Sequence, residues 1–400
     1  MRRNTWIFLI IGVLFIGASL EAVEVLNKIR LNGFLSQAFM KSQKNNFLTR
    51  SKKGSFEINE VGVTLSTNLT DRLRFGLQLF SRDMGELGNN AVVLDWAFAD
   101  YRVTNWLGVR VGKVKAPLGL YNEGRDTDFL RPMAFLPQGI YIETYRGFIV
   151  AYQGLGVYGN VYLGNAGDIS YHAYVGTNNV SKDETLVKHL QNLLNLLSPY
   201  TGVVVSDLTL STKIAAGGKA EWNTPVTGLK LGVSTLKYST DFLLHSGAPR
   251  IGFLKVPHQW IFSLEYMWNN FTLAAEYSEM KTDIEAFDLP FPLEYQTNQT
   301  YYVMLSYMIN NKLTLTGLAD FFYENKKDRK GITYEEMGYP NHMGWRKDLG
   351  ACLRYDFNEH WTVKAEWHAI DGTALYINLY NTDEVYQKWS YFIFKTSFSF

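Results

Sequence analysis

The chain has 400 residues, with 39 Lys and Arg against 38 Asp and Glu, a balance that argues against a nucleic-acid binder built on a broad basic face. Its single cysteine, Cys352, excludes an internal disulfide and a cysteine-built zinc site, and it reads as a small filler. Aromatic residues make up 15% of the chain while mean hydropathy is only −0.13, which suits strands with one apolar face and one wet face.

In chain order, Arg2 and Arg3 precede the apolar run Trp6–Ala18, with Ser19 and Ala22 as small residues beyond it. That pattern predicts a secretory signal peptide over 1–22, too short for an ordinary spanning helix. No later segment is long and apolar enough for a membrane helix, so 23–400 could cross a membrane only as a closed β-barrel. From Arg30 onward, segments of about ten residues alternate in polarity, the length a tilted membrane strand needs. Leu73, Phe75, Leu77 and Leu79 share one face opposite Arg72, Arg74 and Gln78. Trp260, Phe262, Leu264, Tyr266 and Trp268 oppose Gln259, Ser263 and Glu265. Trp361, Val363 and Trp367 oppose Thr362, Lys364, Glu366 and His368, and the last pair reads as solvated polar lining. Two stretches alternate poorly: Val92–Val103, which carries Asp95, Asp100 and Arg102, and the glycine-rich Phe148–Leu163, where a bend or bulge is expected.

The connections are more telling than the strands. Short links fall at 68–71, 104–105, 164–167, 223–227, 269–270, 310–311 and 358–359. Long polar loops lie near 41–55, 83–91, 116–146, 178–212, 239–257, 281–297, 324–345 and 371–386. Seven turns alternating with eight loops join sixteen strands, and long external loops with short periplasmic turns are a bacterial barrel's habit. At the end of the chain, Phe392, Phe394, Phe398 and Phe400 share a face opposite Lys395 and Ser397. The predicted fold is all-β: a transmembrane antiparallel barrel of about sixteen strands with a long third loop.

That loop, Ala116–Arg146, carries Leu120, Tyr121, Phe129, Phe135, Leu136, Tyr141 and three prolines, too apolar to float in water. It is expected to fold into the barrel, the alternative being a lid on the external rim. Arg30, Arg72, Arg74 and Arg110 fall on the inward register of the first five strands, with Lys113 and Lys115 at the loop entrance. Rings of charge select ions in pores, and arginine favours anions. The loop adds Glu123, Arg125, Asp126, Asp128, Arg131 and Arg146, which either line the constriction or pair with one another and pin the loop. In loop four, Ser181 and Glu184 fit a capping box, and Leu186, Val187, Leu190, Leu193, Leu194 and Leu197 recur at helical spacing before Pro199. A short amphipathic helix is expected there, covering the barrel mouth or a neighbouring subunit.

Sixteen strands, a terminal Phe400 and the stretch Pro117–Asp126 followed by Asp128–Pro132 resemble the trimeric Gram-negative outer-membrane porins. The branch they are most similar to includes phosphate-selective and dicarboxylate-linked channels. The resemblance implies a homotrimer in outer-membrane lipid, an inward third loop, and passive diffusion of small hydrophilic solutes or ions. Wall arginines facing acidic loop residues would set an anion preference. Arg72, Arg74, Arg110, Glu123, Arg125, Asp126, Asp128 and Arg131 are the constriction residues so implied. No cofactor, metal, nucleic-acid partner or catalytic residue is expected: the seven histidines lack metal-ligand spacing, and no G-x-S-x-G elbow or P-loop occurs. The rival readings are an adhesive or structural barrel and a lipase-like barrel enzyme, whose serine–histidine pair at the rim is not found.

Overall fold

The computed structural model describes residues 29–400 except 86, 183, 196–197, 288, 291–295, 376–380 and 382–384. The predicted signal peptide, and Leu197 with the Leu186 side chain, lie outside these. Among the described residues, sixteen long antiparallel strands form one sheet closed on itself. They are β1 (Arg30–Gln43), β2 (Ser55–Asn68), β3 (Leu73–Asp83), β4 (Val93–Arg102), β5 (Gly108–Lys115), β6 (Ala151–Tyr162), β7 (Asp168–Thr177) and β8 (Thr209–Asn223). The second half comprises β9 (Leu229–Leu243), β10 (Arg250–Trp268), β11 (Phe271–Ala286), β12 (Gln296–Asn310), β13 (Leu313–Tyr323), β14 (Trp345–Asn358), β15 (Trp361–Gly372) and β16 (Lys388–Ser399). A two-residue strand, Leu289–Pro290, pairs back on the end of β11 within loop six.

Closure comes from β1 against β16, registered from Phe34 opposite Ser399 to Gln43 opposite Ser390. Phe400 and Gly33 extend the seam by exchanging backbone hydrogen bonds of 3.0 and 3.1 Å. A closed sheet leaves no edge of unpaired N–H and C=O groups, which is why a strand ending in four phenylalanines is safe here. Their rings point outward, as do Phe75, Leu79, Phe262 and Trp367, all exposed on an isolated chain. The inward faces carry the polar residues: Lys364, Glu366, Lys395 and Gln259 are buried. An apolar exterior over a polar interior is what a lipid-embedded barrel requires.

Bulges explain where the alternation fails. Gln78 pairs with Trp96 but Leu79 pairs with Leu94, so Asp95 is an extra residue that the bulge turns into the lumen. Pro257 sits in a second bulge, between Lys255 and His258, so β10 runs from Arg250 and loop five shrinks to 244–249 from the expected 239–257. Phe148–Leu163 behaves differently from expectation: Arg146–Ile149 is a helical turn, and β6 then pairs in unbroken register with both neighbours.

Loop seven (324–344) carries a short helix, Ile332–Glu336. Burial pushes the Glu324 carboxyl up to about 7, a hydrogen bond donated by Tyr334 offsetting only part of it. The folded loop therefore holds a proton that the unfolded chain has already released above about 4.5, so its packing weakens as pH rises from 5 through 7. Amide exchange over 332–345, corrected for intrinsic rates, is expected to quicken between pH 5 and pH 8. Glu324→Gln should abolish that pH dependence.

Candidate channel interior

Loop three (116–150) leaves the top of β5, and its polar contacts reach twelve wall strands. Gly119 N–H donates to Ser234 Oγ on β9 at 2.9 Å, and Leu120 N–H to Glu276 Oε1 on β11 at 2.9 Å. Gly139 N–H donates to Asp320 on β13 at 3.0 Å, and Ala134 N–H to Glu366 on β15 at 2.6 Å. Arg354 on β14 donates to the Phe129 carbonyl at 2.9 Å, and Ser397 on β16 to Asp128 at 2.9 Å. Ion pairs add β2–β5 and, through Glu123, β7 and β8. A segment that meets opposite sides of a closed barrel lies inside it. Two glycines allow a close approach: Gly119, with φ +58°, where a Cβ would stand 2.8 Å from Glu276 Oε1, and Gly139, where one would collide with Thr300 Oγ1 on β12.

Four charged clusters hold the loop. Asp128 and Arg131 join Glu60 (β2), Lys364 (β15) and Lys395 (β16): Arg131 reaches Glu60 and Asp128 at 2.9 Å each, Lys364 reaches Asp128 at 2.9 Å, and Lys395 reaches Glu60 at 2.6 Å. Asp126 and Arg146 join Asp95 (β4) and Lys115 (β5), with Arg146 at 2.6 Å from Asp126 and 2.7 Å from Asp95 and Lys115 against both acids. Glu143 bridges Arg125 and Arg82 (β3), each at 2.9 Å. The fourth cluster lies in the wall. His368 is held between Asp348 and Glu366 at 2.7 Å each, and Arg346 links Asp348 to Asp320 at 2.6 and 3.4 Å, so the acids that bind Ala134 and Gly139 are themselves fixed. Lys364 is 0% exposed and Lys395 2%, although both point into the barrel. A water-filled pore would leave them wet.

Apolar packing fills the rest of the external half. The loop-four helix Thr185–Asn195 buries Val187, Leu190 and Leu194 in a cluster with Tyr141 and Phe148 of loop three and with Leu236, Tyr238, Phe242 and Ile261 of the wall. The expected amphipathic stripe therefore covers the barrel mouth. Tyr302 and Met304, on a strand apolar on both faces, pack under loop three in the same cluster. Cys352 is buried there too. Opposite, Phe47 of loop one packs on Phe135 of loop three and on Trp389 and Tyr391 of β16.

The half of the lumen toward the short turns is open. A cavity of about 820 Å³ is lined by Arg30, Arg72, Arg74, Arg102 and Arg110 with Asp71, Asp100 and Tyr158. Asp100 receives Arg74 at 3.0 Å, Arg110 at 3.6 Å and the Tyr158 hydroxyl at 2.5 Å. Arg110 lies 4.7 Å from the ring centroids of both Phe98 and Tyr158, which fixes its plane. Five arginines against two aspartates leave a net charge of +3. Farther round the wall, Lys219, Glu221, Lys230 and Glu265 alternate in a ladder of pairs at 3.0 to 3.8 Å.

In overall geometry this chain is similar to several solved structures. OprB of Pseudomonas putida superposes with a TM-score of 0.58 at 12% identity, over 95% of this chain and 96% of that one. OmpF of Salmonella typhi, in complex with daunomycin, gives 0.57 at 13%, over 93% and 97%. An anion-selective porin of Comamonas acidovorans gives 0.57 at 9%, over 93% and 99%. The chain has the sixteen-stranded porin fold. No protein-family model matches it, and no curated protein matches it in sequence. General and anion-selective porins superpose alike, so the likeness singles out no branch.

Within that fold the sequence-predicted residues separate into two groups. Arg72, Arg74 and Arg110 come together in that open cavity, joined by Arg30 and by Arg102, which the alternation left in doubt. Arg125, Asp126, Asp128 and Arg131 are buried with wall partners and do not face those arginines. Glu123 alone among the loop's predicted charges stays wet, at 44% exposure, 3.8 Å from Lys219 and 3.9 Å from His172. His368 and Glu366 belong to a buried network and are not solvated lining. Sequence reasoning missed Glu60, Arg82, Glu143, Glu276, Asp320 and Arg346. The signal was there for the wall residues: a charge on the inward register of a membrane strand needs a partner or water.

Proposed function

We propose that this protein is an outer-membrane channel for small hydrophilic solutes, homotrimeric, with an anion preference set at its periplasmic vestibule and with its external half closed in the conformation described. The observation that carries the reading is the pairing of an apolar exterior with an arginine-walled cavity of about 820 Å³ inside a closed sixteen-stranded barrel. A structural barrel has no need of five arginines around internal water, where arginine attracts anions. The likeness to an anion-selective porin agrees with that preference without fixing it. Loop three, held by paired charges, is the segment that must shift for solute to pass.

The test is the purified protein in a planar bilayer under a salt gradient. Rare openings in groups of three, with a reversal potential of the sign given by anion flux, are expected. Absence of conductance both in the parent and in a variant with loop three released would overturn the channel reading.

A further inference from the structure

The inner wall formed by β8 and β9 changes character over a short distance. Ala215, Gly217 and Lys219 of β8 share the lumen face and stand opposite Tyr238, Leu236 and Ser234 of β9. Ala215, Leu236 and Tyr238 are buried in the apolar cluster together with Phe242. Tyr174, stacked on Tyr152 with centroids 4.2 Å apart, lies in register with Gly217 and closes one side. Lys219 is four residues nearer the short turns than Ala215, about 13 Å along the strand. A pore that is wet to its mouth has a polar inner wall throughout, so an apolar stretch ending on a lysine calls for an occupant.

Two segments of the chain itself occupy it. Val187, Leu190 and Leu194 of the loop-four helix lie in the apolar cluster and span about 10 Å of the helix axis. The Glu123 carboxylate of loop three stands 3.8 Å from Lys219. Both occupants are loosely held. Asp126, Asp128 and Glu143 of the same loop are buried against cations at 2.6 to 2.9 Å, whereas Glu123 stays wet. The bonds that brace the helix stay within loop four. Gln191 donates to the Val205 and Ser206 carbonyls at 3.1 and 3.0 Å, and Asn195 both donates to Val205 and accepts from it. Helix and returning segment can therefore leave the wall together with those bonds intact.

We infer that this wall is a binding site for an amphipathic anion of medium acyl length, entering from the long-loop side. Its tail takes the place of the stripe of Val187, Leu190 and Leu194, and its head takes the place of Glu123 on Lys219. The exchange is apolar for apolar and anion for anion. Glu221 keeps its contact with Lys219 at 3.1 Å, so one negative charge enters for the one that leaves. A hydrophilic anion would leave the vacated wall in water, and an apolar cation would meet Lys219 with the wrong sign. The inference goes beyond passage of small hydrophilic solutes, and it holds whether or not the lumen conducts.

Thiol labelling of C352S/L194C in detergent, with a charged methanethiosulfonate reagent, tests it. Leu194 is buried while the helix is docked. 1-Octanesulfonate should speed labelling about tenfold, a shift of the docked equilibrium by roughly one decade. Methanesulfonate, which lacks the tail, and octyltrimethylammonium, which reverses the head, should not. In the same background Lys219→Gln should raise the octanesulfonate concentration required about fivefold, the weight of one partly screened charge pair, and Glu123→Gln should lower it. Calorimetric titration of the parent with octanesulfonate below its micelle concentration should saturate at a single molecule per chain, a reading that stands even where L194C loosens the helix by itself. Equal speeding by octyltrimethylammonium would mean detergent action on the helix. That result, no speeding by octanesulfonate, no saturable uptake by the parent, or an unmoved concentration in Lys219→Gln would each overturn the site. None of these readouts is a current, so a failure of the channel reading is seen separately.

Discussion

Asp128→Ala is expected to convert a channel that opens rarely into one that is open most of the time. Asp128 is met by Arg131 at 2.9 Å, Lys364 at 2.9 Å, Lys395 at 3.1 Å and Ser397 at 2.9 Å. Without it, Arg131 and Lys395 share Glu60 alone, and Lys364 keeps only backbone carbonyls of the loop. Removing one partner of a buried pair costs about 3–5 kcal/mol, because the charge left behind has lost its water and gained nothing. The barrel does not bear that cost, since its ladders close from β1 to β16 without the third loop. Undocking of the loop relieves the strain, and the cheapest cooperative unit opens first. A shift of that size changes the docked-to-free ratio by roughly a hundredfold or more.

Two measurements should agree. Open probability in a planar bilayer should rise, and trypsin added from the loop side should cleave after Arg125, which is buried in the parent. Asp128→Asn keeps the shape and loses only the charge, so it should lie between parent and alanine variant. An intact barrel with unchanged open probability would mean that the clusters around Glu143 and Asp126 hold the loop without Asp128.

The sequence made the strand plan legible because alternation and connection length are local properties. All seven turns and eight loops occur in the expected order, and the largest difference is loop five, expected near 239–257, where β10 continues through a bulge at Pro257 out to Arg250. Face assignment carries equally well: Lys364, Glu366 and Lys395 stand on the polar faces of their strands in the sequence, and those faces turn inward. Their partners were not legible. Glu60 and Lys395 stand 335 positions apart and meet only because β2 and β16 flank the same strand, β1. Periodicity tells which face a charge takes, never which loop will be laid across it. Asp95 is instructive, since the break in alternation that made its strand look doubtful was the mark of the bulge that aims it at Arg146. Loop three read as apolar enough to fold inward, but the number of wall charges waiting for it depends on closure of the whole barrel.

The second large effect concerns selectivity. Replacing Arg72, Arg74 and Arg110 together by glutamine takes the vestibule from five arginines against two aspartates to two against two, that is, from +3 to zero. The measurement belongs in the Asp128→Ala background, where the path is open and gating does not limit the current. The anion-to-cation permeability ratio is expected to fall about tenfold, with the reversal potential moving toward or past zero, because low-dielectric walls focus the field of such a cluster. The three positions should contribute unequally. Arg110 is held between two rings and is mostly buried, so its charge is least screened, whereas the Arg74 side chain is 47% exposed. Arg110→Gln alone should therefore give the largest share. It also removes one of the two cations paired with Asp100, leaving an acid that itself favours cations. Stability should barely change for Arg72 and Arg74, as exposed pairs contribute little. A reversal potential unchanged in the triple variant would place the vestibule off the conduction path, and the ladder of Lys219, Glu221, Lys230 and Glu265 would then be the surface that passing ions meet.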